Sequence, residues 1–494
     1  MLWLHADWSA EKPWQALLQA LPLDLSMAGY LMLLPVGLYF MGILVKPQVR
    51  HIFHKIINGY TIGLILILVF VFGANVFIYE EWHTPLNNRA LEYFKTPMAM
   101  LDSMSLGFKI GSALAYAGLI LLWWHTYKFL AGEQTGHQPQ TAMSFAWAPI
   151  FIGLLFLSIR GGLGKMPINE SAVYYSAHSF NNHAATNTAW HLVHSMLETR
   201  SAKNNYRFLP DETARAVVEK LYENKGGSPD PSWLKTRKDS LPNVVFILME
   251  SMTAQVVEEL GGGEPGVCPN LSRLAKSGIL FENIYSSGYR TDQGLVAILG
   301  GFPAQPDQSV VLLQDKAARL PSLPQELFNK GYSTAFLYGG QLTFANIGVW
   351  LRNQRFQTII SENDFSRKQL TQRWGADDHQ VFQKTLKTIS QLPQPFFTAV
   401  LTLSLHTPYD VPGQRLPEGK PEREKFITSA RFADWAIGQF FEQAARAPWF
   451  DNTVFVLVAD HGHSHPGGIL MDHALARQVP LIFTGPLISP EWRG

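Results

Sequence analysis

The chain has 494 residues, long enough that at ~150 residues per domain at least two parts are expected. Hydrophobic residues make up 47% and the formal net charge is +1; with no Lys/Arg run, no zinc-knuckle spacing and no aromatics interleaved with basic residues, nucleic acid is excluded as a partner. A single cysteine, Cys268, excludes an internal disulfide framework and a CxxC metal site, and reads as a small packed side chain.

Along the chain, residues 1–27 come first, with Trp3, Trp8 and Trp14 around Leu17, Leu18 and Leu21. This pattern suits an amphipathic segment at a membrane interface. It lacks the basic start, apolar stretch and small-residue cleavage site of a signal peptide. Four apolar segments follow, at 28–45, 58–78, 108–130 and 143–159, each near the ~20 residues that cross a hydrocarbon core, so residues 28–160 are expected to form a four-span membrane domain. The loop after the first span carries Lys46, Arg50 and Lys55 and no acid. The next holds Glu80, Glu81, Glu92 and Asp102 against Arg89 and Lys95. Basic loops stay in the cytoplasm, so alternation puts everything after the fourth span outside, on the extracytoplasmic face of the membrane.

Residues 161–240 turn polar, with a Gly-rich exit at 160–164, helical patterns near 185–200 and 211–223, and the loop GGSPDPS, and read as a helical linker. From 241 to 494 short β-rich runs alternate with helical ones, the signature of an α/β domain with a mainly parallel sheet. Expected strands are 243–249, 332–337, 396–403 and 453–459. Ligands in such folds gather beyond the carboxyl ends of the strands. There the first strand delivers Glu250, the last delivers Asp460 and His461, and a third leads to His406. Oxygen donors joined by one imidazole suit a divalent cation such as Mn²⁺, Mg²⁺ or Zn²⁺. Thr291 precedes the helical run DQGLVAILGG. A hydroxyl there can serve simply as a helix cap. The same position also places it beside backbone N–H groups that favour phosphate, where a nearby cation would lower its pKa and make it a nucleophile.

The runs NVVFILMES, PNLSRLAKSGILFENIY, a Thr before a helix, SLHTPY and VADHG resemble, in order, the sulfatase-like domain of the alkaline phosphatase superfamily over residues 242–485. The apolar spans followed by RGGLGKMPIN narrow the resemblance to the lipoteichoic acid synthase and phosphoglycerol transferase group. The resemblance implies one divalent metal, Mn²⁺ or Mg²⁺ first and Zn²⁺ third, held by Glu250, Thr291, Asp460 and His461. It also makes Thr291 the nucleophile and has His406 contact the phosphoglycerol group. Arylsulfatases need a C/S-x-P-x-R motif, whereas this chain reads TDQG, so sulfatase chemistry is disfavoured. Where lipoteichoic acid synthases carry F-W-N-R, this chain has Phe344, Ala345, Asn346 and Ile347, leaving Asn346, Arg352 and Arg355 as candidate substrate-binding residues. Family members also carry a further amino-terminal span and a longer carboxyl end, so the resemblance implies a chain shortened at both.

The expected reaction moves glycerol phosphate from phosphatidylglycerol through a covalent Thr291 intermediate to a glycan or polymer hydroxyl in the cell envelope. A phosphoethanolamine transferase acting on lipid A or a glycan is the enzymatic alternative, disfavoured by the single cysteine because such enzymes carry several disulfides. A non-catalytic membrane protein that binds an envelope component is the alternative from another class.

Overall fold

The computed structural model describes residues 14–82, 85–87, 106–131, 145–176, 179–199, 208–221, 223, 231–235, 240–305, 309–412, 421–471 and 473–494. It divides into two compact units, Met1–Ala202 and Lys203–Gly494.

The second and third expected apolar segments lie within helices Pro47–Trp82 and Leu106–Ala131, and the described parts of the first and fourth are mostly helical, in Trp14–Ile43 and Ala148–Arg160. Among the described residues, two stretches are long and apolar enough to cross a membrane: Trp14–Ile43 and Gln48–Tyr79. The fourth expected span differs. Its helix has 13 residues and a left-handed Gly161 cap, so at 1.5 Å per residue it is about 20 Å long against a core of about 30 Å. At the other end, residues 14–27 form no separate interfacial segment but the start of the first long helix, because the apolar pattern runs on across Pro22. Trp3, Trp8 and most of the acidic loop at 80–105 lie outside the described residues.

Small and polar side chains make close contacts between these helices beside larger ones such as Phe40 on Phe151. The Ser26 hydroxyl donates to the Ile159 carbonyl at 2.9 Å and lies 3.3 Å from Trp190 Nε1, while a Cβ added at Gly29 would stand 3.0 Å from the Ile159 side chain. Close backbone approach of this kind is how helices associate where the surroundings are as apolar as the side chains. The unit extends past residue 160 to Ala202, so the first half of the expected linker packs with the helices. Trp190 and Leu192 are buried there, and His191 Nδ1 meets Glu170 Oε1 at 2.6 Å.

The second unit is built on a seven-stranded sheet in the order β2-β7-β6-β1-β5-β3-β4, with strands β1 Asn243–Met249, β2 Ile279–Phe281, β3 Ser333–Tyr338, β4 Thr358–Ile360, β5 Phe396–Leu401, β6 Thr453–Ala459 and β7 Leu481–Thr484. Pairing is parallel from β6 through β4, and β7 and β2 join antiparallel at one edge. The four strands expected from the sequence are present; β2, β4 and β7 are too short, at three or four residues, for their periodicity to register. Because side chains alternate across a strand, β1 feeds two cores at once. Val245, Ile247 and Met249 join one core with Phe426, Ile437 and Phe440 of the helix Glu422–Ala444. Leu248 joins the other with Leu295 and Leu299 of the Thr291–Gly300 helix and Trp350 of the Ile347–Asn353 helix. Helices thus cover both faces, which is why the central strands are near-continuous apolar runs.

Candidate active site

The register of the sheet assembles the site. β1 and β6 are parallel neighbours with Met249 opposite Ala459, so the residues that follow, Glu250 and Asp460, leave the sheet side by side at its carboxyl edge. Thr291 arrives at the start of its helix, which can approach only because position 294 is glycine: a Cβ there would sit 2.2 Å from the Asp460 carbonyl oxygen. Gly462 likewise lets the loop after His461 pass against Ala476, whose carbonyl would be 2.1 Å from a Cβ.

Glu250, Asp460 and His461 are buried, and one donor atom from each lies within 4.8 Å of the other two. The Thr291 hydroxyl donates to Glu250 Oε2 at 3.0 Å and the Ser251 hydroxyl to Oε1 at 2.9 Å. Ser251 sits at φ 54°, an unusual conformation for a non-glycine residue, and its N–H reaches Asp460 Oδ1 at 3.0 Å. Asp460 Oδ1 also accepts from the His461 N–H at 2.7 Å, while Oδ2 is buried without a hydrogen-bond partner. His461 Nδ1 faces the Gly462 carbonyl at 2.9 Å, so Nδ1 carries the proton and Nε2 points at Glu250 Oε1, 3.5 Å away, and Asp460 Oδ2, 3.8 Å away. An orphaned carboxylate oxygen, a second carboxylate and an imidazole nitrogen converging on one point form a donor set that fits a divalent cation.

The protonation pattern agrees. Burial, reinforced by the neighbouring Glu250 charge, raises the Asp460 carboxyl. Burial would also raise Glu250, but hydrogen bonding to His461 and the charge of that ring hold it low. Burial would lower His461, and the Asp460 and Glu250 carboxylates instead raise it. Three buried groups held this close compete for protons that a dication would displace.

His406 lies at the turn beyond β5, close enough that its charge acts on Glu250. Its ring is flanked edge-on by Phe344, with centroids 6.3 Å apart, and by Trp374, at 5.2 Å. Its Nδ1 donates to the Thr407 carbonyl at 2.9 Å, which also accepts from Trp374 Nε1 at 2.7 Å, leaving Nε2 bare in the neutral ring. Trp374 is a site residue the sequence reading missed; its only signal was an isolated Trp-Gly in a polar loop. Arg290 and Arg477 both stack on Tyr289, at 5.3 and 5.5 Å from its ring centre, and so set two guanidinium groups around the residue two positions before the nucleophile candidate.

The candidate substrate residues divide. Asn346 is buried, at φ 58° beside Ala345 at φ 45°, in the short helical turn that also carries Phe344. Arg355 is exposed at the opposite edge of the sheet: its carbonyl accepts from Thr334 at the start of β3, about 13 Å of strand from the carboxyl end. Arg352, in the last turn of the Ile347–Asn353 helix, accepts the Arg355 N–H at 3.1 Å and begins from that same edge. The helix carries both arginines away from the metal cluster, so the fold does not support them as substitutes for a pocket arginine. A cavity of about 650 Å³ lined by Arg273, Trp435, Gln439 and Arg493 opens elsewhere on this unit and includes none of the cluster residues.

This constellation lies at the carboxyl edge of a mostly parallel sheet, where ligands of such folds gather. The family model described as Sulfatase matches residues 242–490, half of the chain, and the chain belongs to that family. Its curated relatives include lipoteichoic acid synthase 2 of Bacillus subtilis (strain 168), 26% identical over 275 residues that cover 52% of this chain and 41% of the relative. Phosphoglycerol transferase I of Citrobacter koseri is 24% identical over 274 residues, 48% of this chain and 34% of the relative. The chain therefore spans well under half the length of the curated relatives it matches. Among solved structures, a protein in the alkaline phosphatase superfamily from Vibrio parahaemolyticus aligns with TM-score 0.49 at 28% identity, covering 57% of this chain and 70% of that one. The resemblance read from the sequence is borne out at the level of family and relatives.

Proposed function

We propose that this chain is a membrane-anchored, metal-dependent phosphotransferase that moves glycerol phosphate from phosphatidylglycerol, through a covalent Thr291 intermediate, to a hydroxyl of an envelope glycan or polymer. The observation that carries it is the Thr291 hydroxyl, buried at a helix N-terminus and 3.0 Å from Glu250 within a three-residue donor cluster. Resemblance to lipoteichoic acid synthases and a phosphoglycerol transferase supports the choice of donor and acceptor class.

Glu250, Asp460, His461 and the Thr291 hydroxyl would hold one divalent ion, with Mn²⁺ or Mg²⁺ ahead of Zn²⁺. Bound there, the ion would lower the hydroxyl pKa and offset charge on the phosphate oxygens. Thr291 Oγ1 attacks phosphorus, the bond to the diacylglycerol oxygen breaks, and that oxygen takes a proton to leave as diacylglycerol. An acceptor hydroxyl then gives up its proton and attacks the same phosphorus, and the bond to Thr291 Oγ1 breaks. His406, its Nδ1–H bonded to Thr407, would give the leaving oxygen a proton from Nε2 when the ring is charged and, then neutral, take the acceptor's proton at the bare Nε2, or would bind the glycerol phosphate group. The N–H groups of the first turn of the Thr291 helix, which have no acceptor within the helix, and the guanidinium groups of Arg290 and Arg477 favour an anionic substrate.

Long apolar helices support membrane attachment, and the basic first loop supports an extracytoplasmic catalytic domain, where a lipid headgroup is within reach. The test incubates purified full chain with phosphatidylglycerol and Mn²⁺ or Mg²⁺. Expected are diacylglycerol release and a glycerophosphate adduct on Thr291, both absent in Thr291→Ala. Turnover by the Ala variant would overturn the proposal, and an adduct formed only from phosphatidylethanolamine would reassign the donor.

A further inference from the structure

Two side chains beside the site are used by none of the steps above: Tyr409, three residues after His406, and His463, two residues after His461. Tyr409 N–H donates to the His406 carbonyl at 2.9 Å and closes the turn. Tyr409 has φ 66° and is 2% exposed, so a bulky buried side chain holds a backbone conformation that non-glycine residues seldom adopt. Such an outlier persists only where its surroundings over-determine it.

The surroundings are explicit. His463 Nδ1 accepts the His465 backbone N–H at 2.9 Å, so Nδ1 has no proton, and the Nε2–H donates to the Tyr409 phenol at 3.2 Å. The His463 ring lies flat on Phe426, centroids 4.6 Å apart, and Tyr409 meets the same Phe426 edge-on at 5.9 Å. The Tyr409 N–H closes the turn on the His406 carbonyl, and within that turn the Thr407 carbonyl is the group that holds His406 Nδ1. A continuous path thus runs from the loop carrying His461, through His463, Tyr409 and Thr407, to His406.

We infer that Tyr409 and His463 are positioning residues that latch the His406 turn to the metal-ligand loop, fixing the His406 tautomer so that Nε2 faces the reacting phosphoryl group. This rests on the phosphotransferase reading for the role of His406, but the latch is a property of the turn itself. Tyr409→Phe keeps the packed ring and removes only the phenol oxygen. His463→Gln restores a side-chain donor; His463→Phe does not.

The experiment uses the full chain and reads three quantities. Initial rates with Mn²⁺ are taken on phosphatidylglycerol and on the chromogenic diester bis(p-nitrophenyl) phosphate, Mn²⁺ affinity by calorimetry, and the His406 tautomer by nitrogen NMR of histidine-labelled protein, its signals assigned by their loss in His406→Ala. Tyr409→Phe and His463→Phe are expected to lower kcat by ~10- to 100-fold with Mn²⁺ affinity unchanged, as for partners one step removed from a reacting group. His463→Gln should recover most of the rate. Tyr409→Phe should mix the His406 tautomers, and it should add nothing in a His406→Ala background. An unchanged tautomer, a full additional loss in the His406→Ala background, or a parallel loss of Mn²⁺ affinity would each overturn the latch. Turnover of the chromogenic diester without turnover of the lipid would overturn the phosphoglycerol reading alone, and if neither diester turns over the tautomer measurement still decides the latch.

Discussion

The two units of this chain answer the same chemistry in opposite directions. In the first, leucines such as Leu17, Leu18, Leu21, Leu121 and Leu122 are half or more exposed, while Ser26 and Gly29 make the helix contacts. In the second, Val245, Ile247, Phe455 and Leu457 are fully buried and the charged site sits at the end of the sheet. A hydrophobic side chain is driven inward only by water; in hydrocarbon the drive vanishes and packing of small residues decides. The contrast therefore supports a bilayer as the solvent of the first unit, and it assigns catalysis to the second, where burial makes charges strong.

The largest expected effect tests that second half of the contrast. Thr291→Ala should lower turnover on the order of 10³-fold or more, with the α/β unit still folded by circular dichroism and still cooperative on heating. Retained activity would remove the nucleophile from the account.

Next is the inward-facing core. Phe455→Ala in β6 should destabilise the unit by ~3–5 kcal/mol in denaturant unfolding. Leu121→Ala, 58% exposed in the helix Leu106–Ala131, should change stability by less than ~0.5 kcal/mol in a lipid nanodisc. Similar costs at the two positions would erase the distinction between the units.

Gly294→Ala joins core to site. Its Cβ would collide with the Asp460 backbone, so the Thr291 helix must shift and the donor cluster must open. Weaker Mn²⁺ binding, by ~10-fold in calorimetry, is expected from displacing a ligand's support. Unchanged affinity would mean that the helix approach does not set the cluster.

The smallest effect concerns Asp378, buried behind the site, where its Oδ1 accepts the N–H groups of Leu403 at 2.6 Å and Ser404 at 3.1 Å. Burial raises its pKa to about 7, against the lowering effect of those bonds. A carboxyl with a raised folded pKa contributes stability that is fully present below its unfolded value of 3.8 and is lost as pH rises through about 7. Thermal unfolding of metal-free protein should thus show a loss of order 1 kcal/mol or more between pH 5 and 8, in the direction a buried charge dictates, as an order-of-magnitude expectation. Asp378→Asn should flatten that slope, and an unchanged slope would assign it to another group.

Local pattern carried much of this. Uninterrupted apolar runs identify β1, β5 and β6, because a strand buried on both faces has no polar side to show. Glu250, Asp460 and His461 were legible because chemistry at strand ends is a rule of the fold. Trp374, Tyr409 and His463 were not, since each acts through contacts with residues 33 to 54 positions away. The placement of Arg352 and Arg355 was not legible for the complementary reason. Nearness in sequence to Asn346 says nothing of a helix that carries them toward the far edge of the sheet.

By itself, then, the sequence determined the family, the apolar helices, the principal strands and which acidic and imidazole residues end neighbouring strands, since each follows from side-chain type and short-range period. Only the tertiary structure decided that Met249 and Ala459 stand in register and that Gly294 admits Thr291 to Glu250. Those are distances between residues remote in sequence, set by packing two helical layers against one sheet, and no local pattern encodes them.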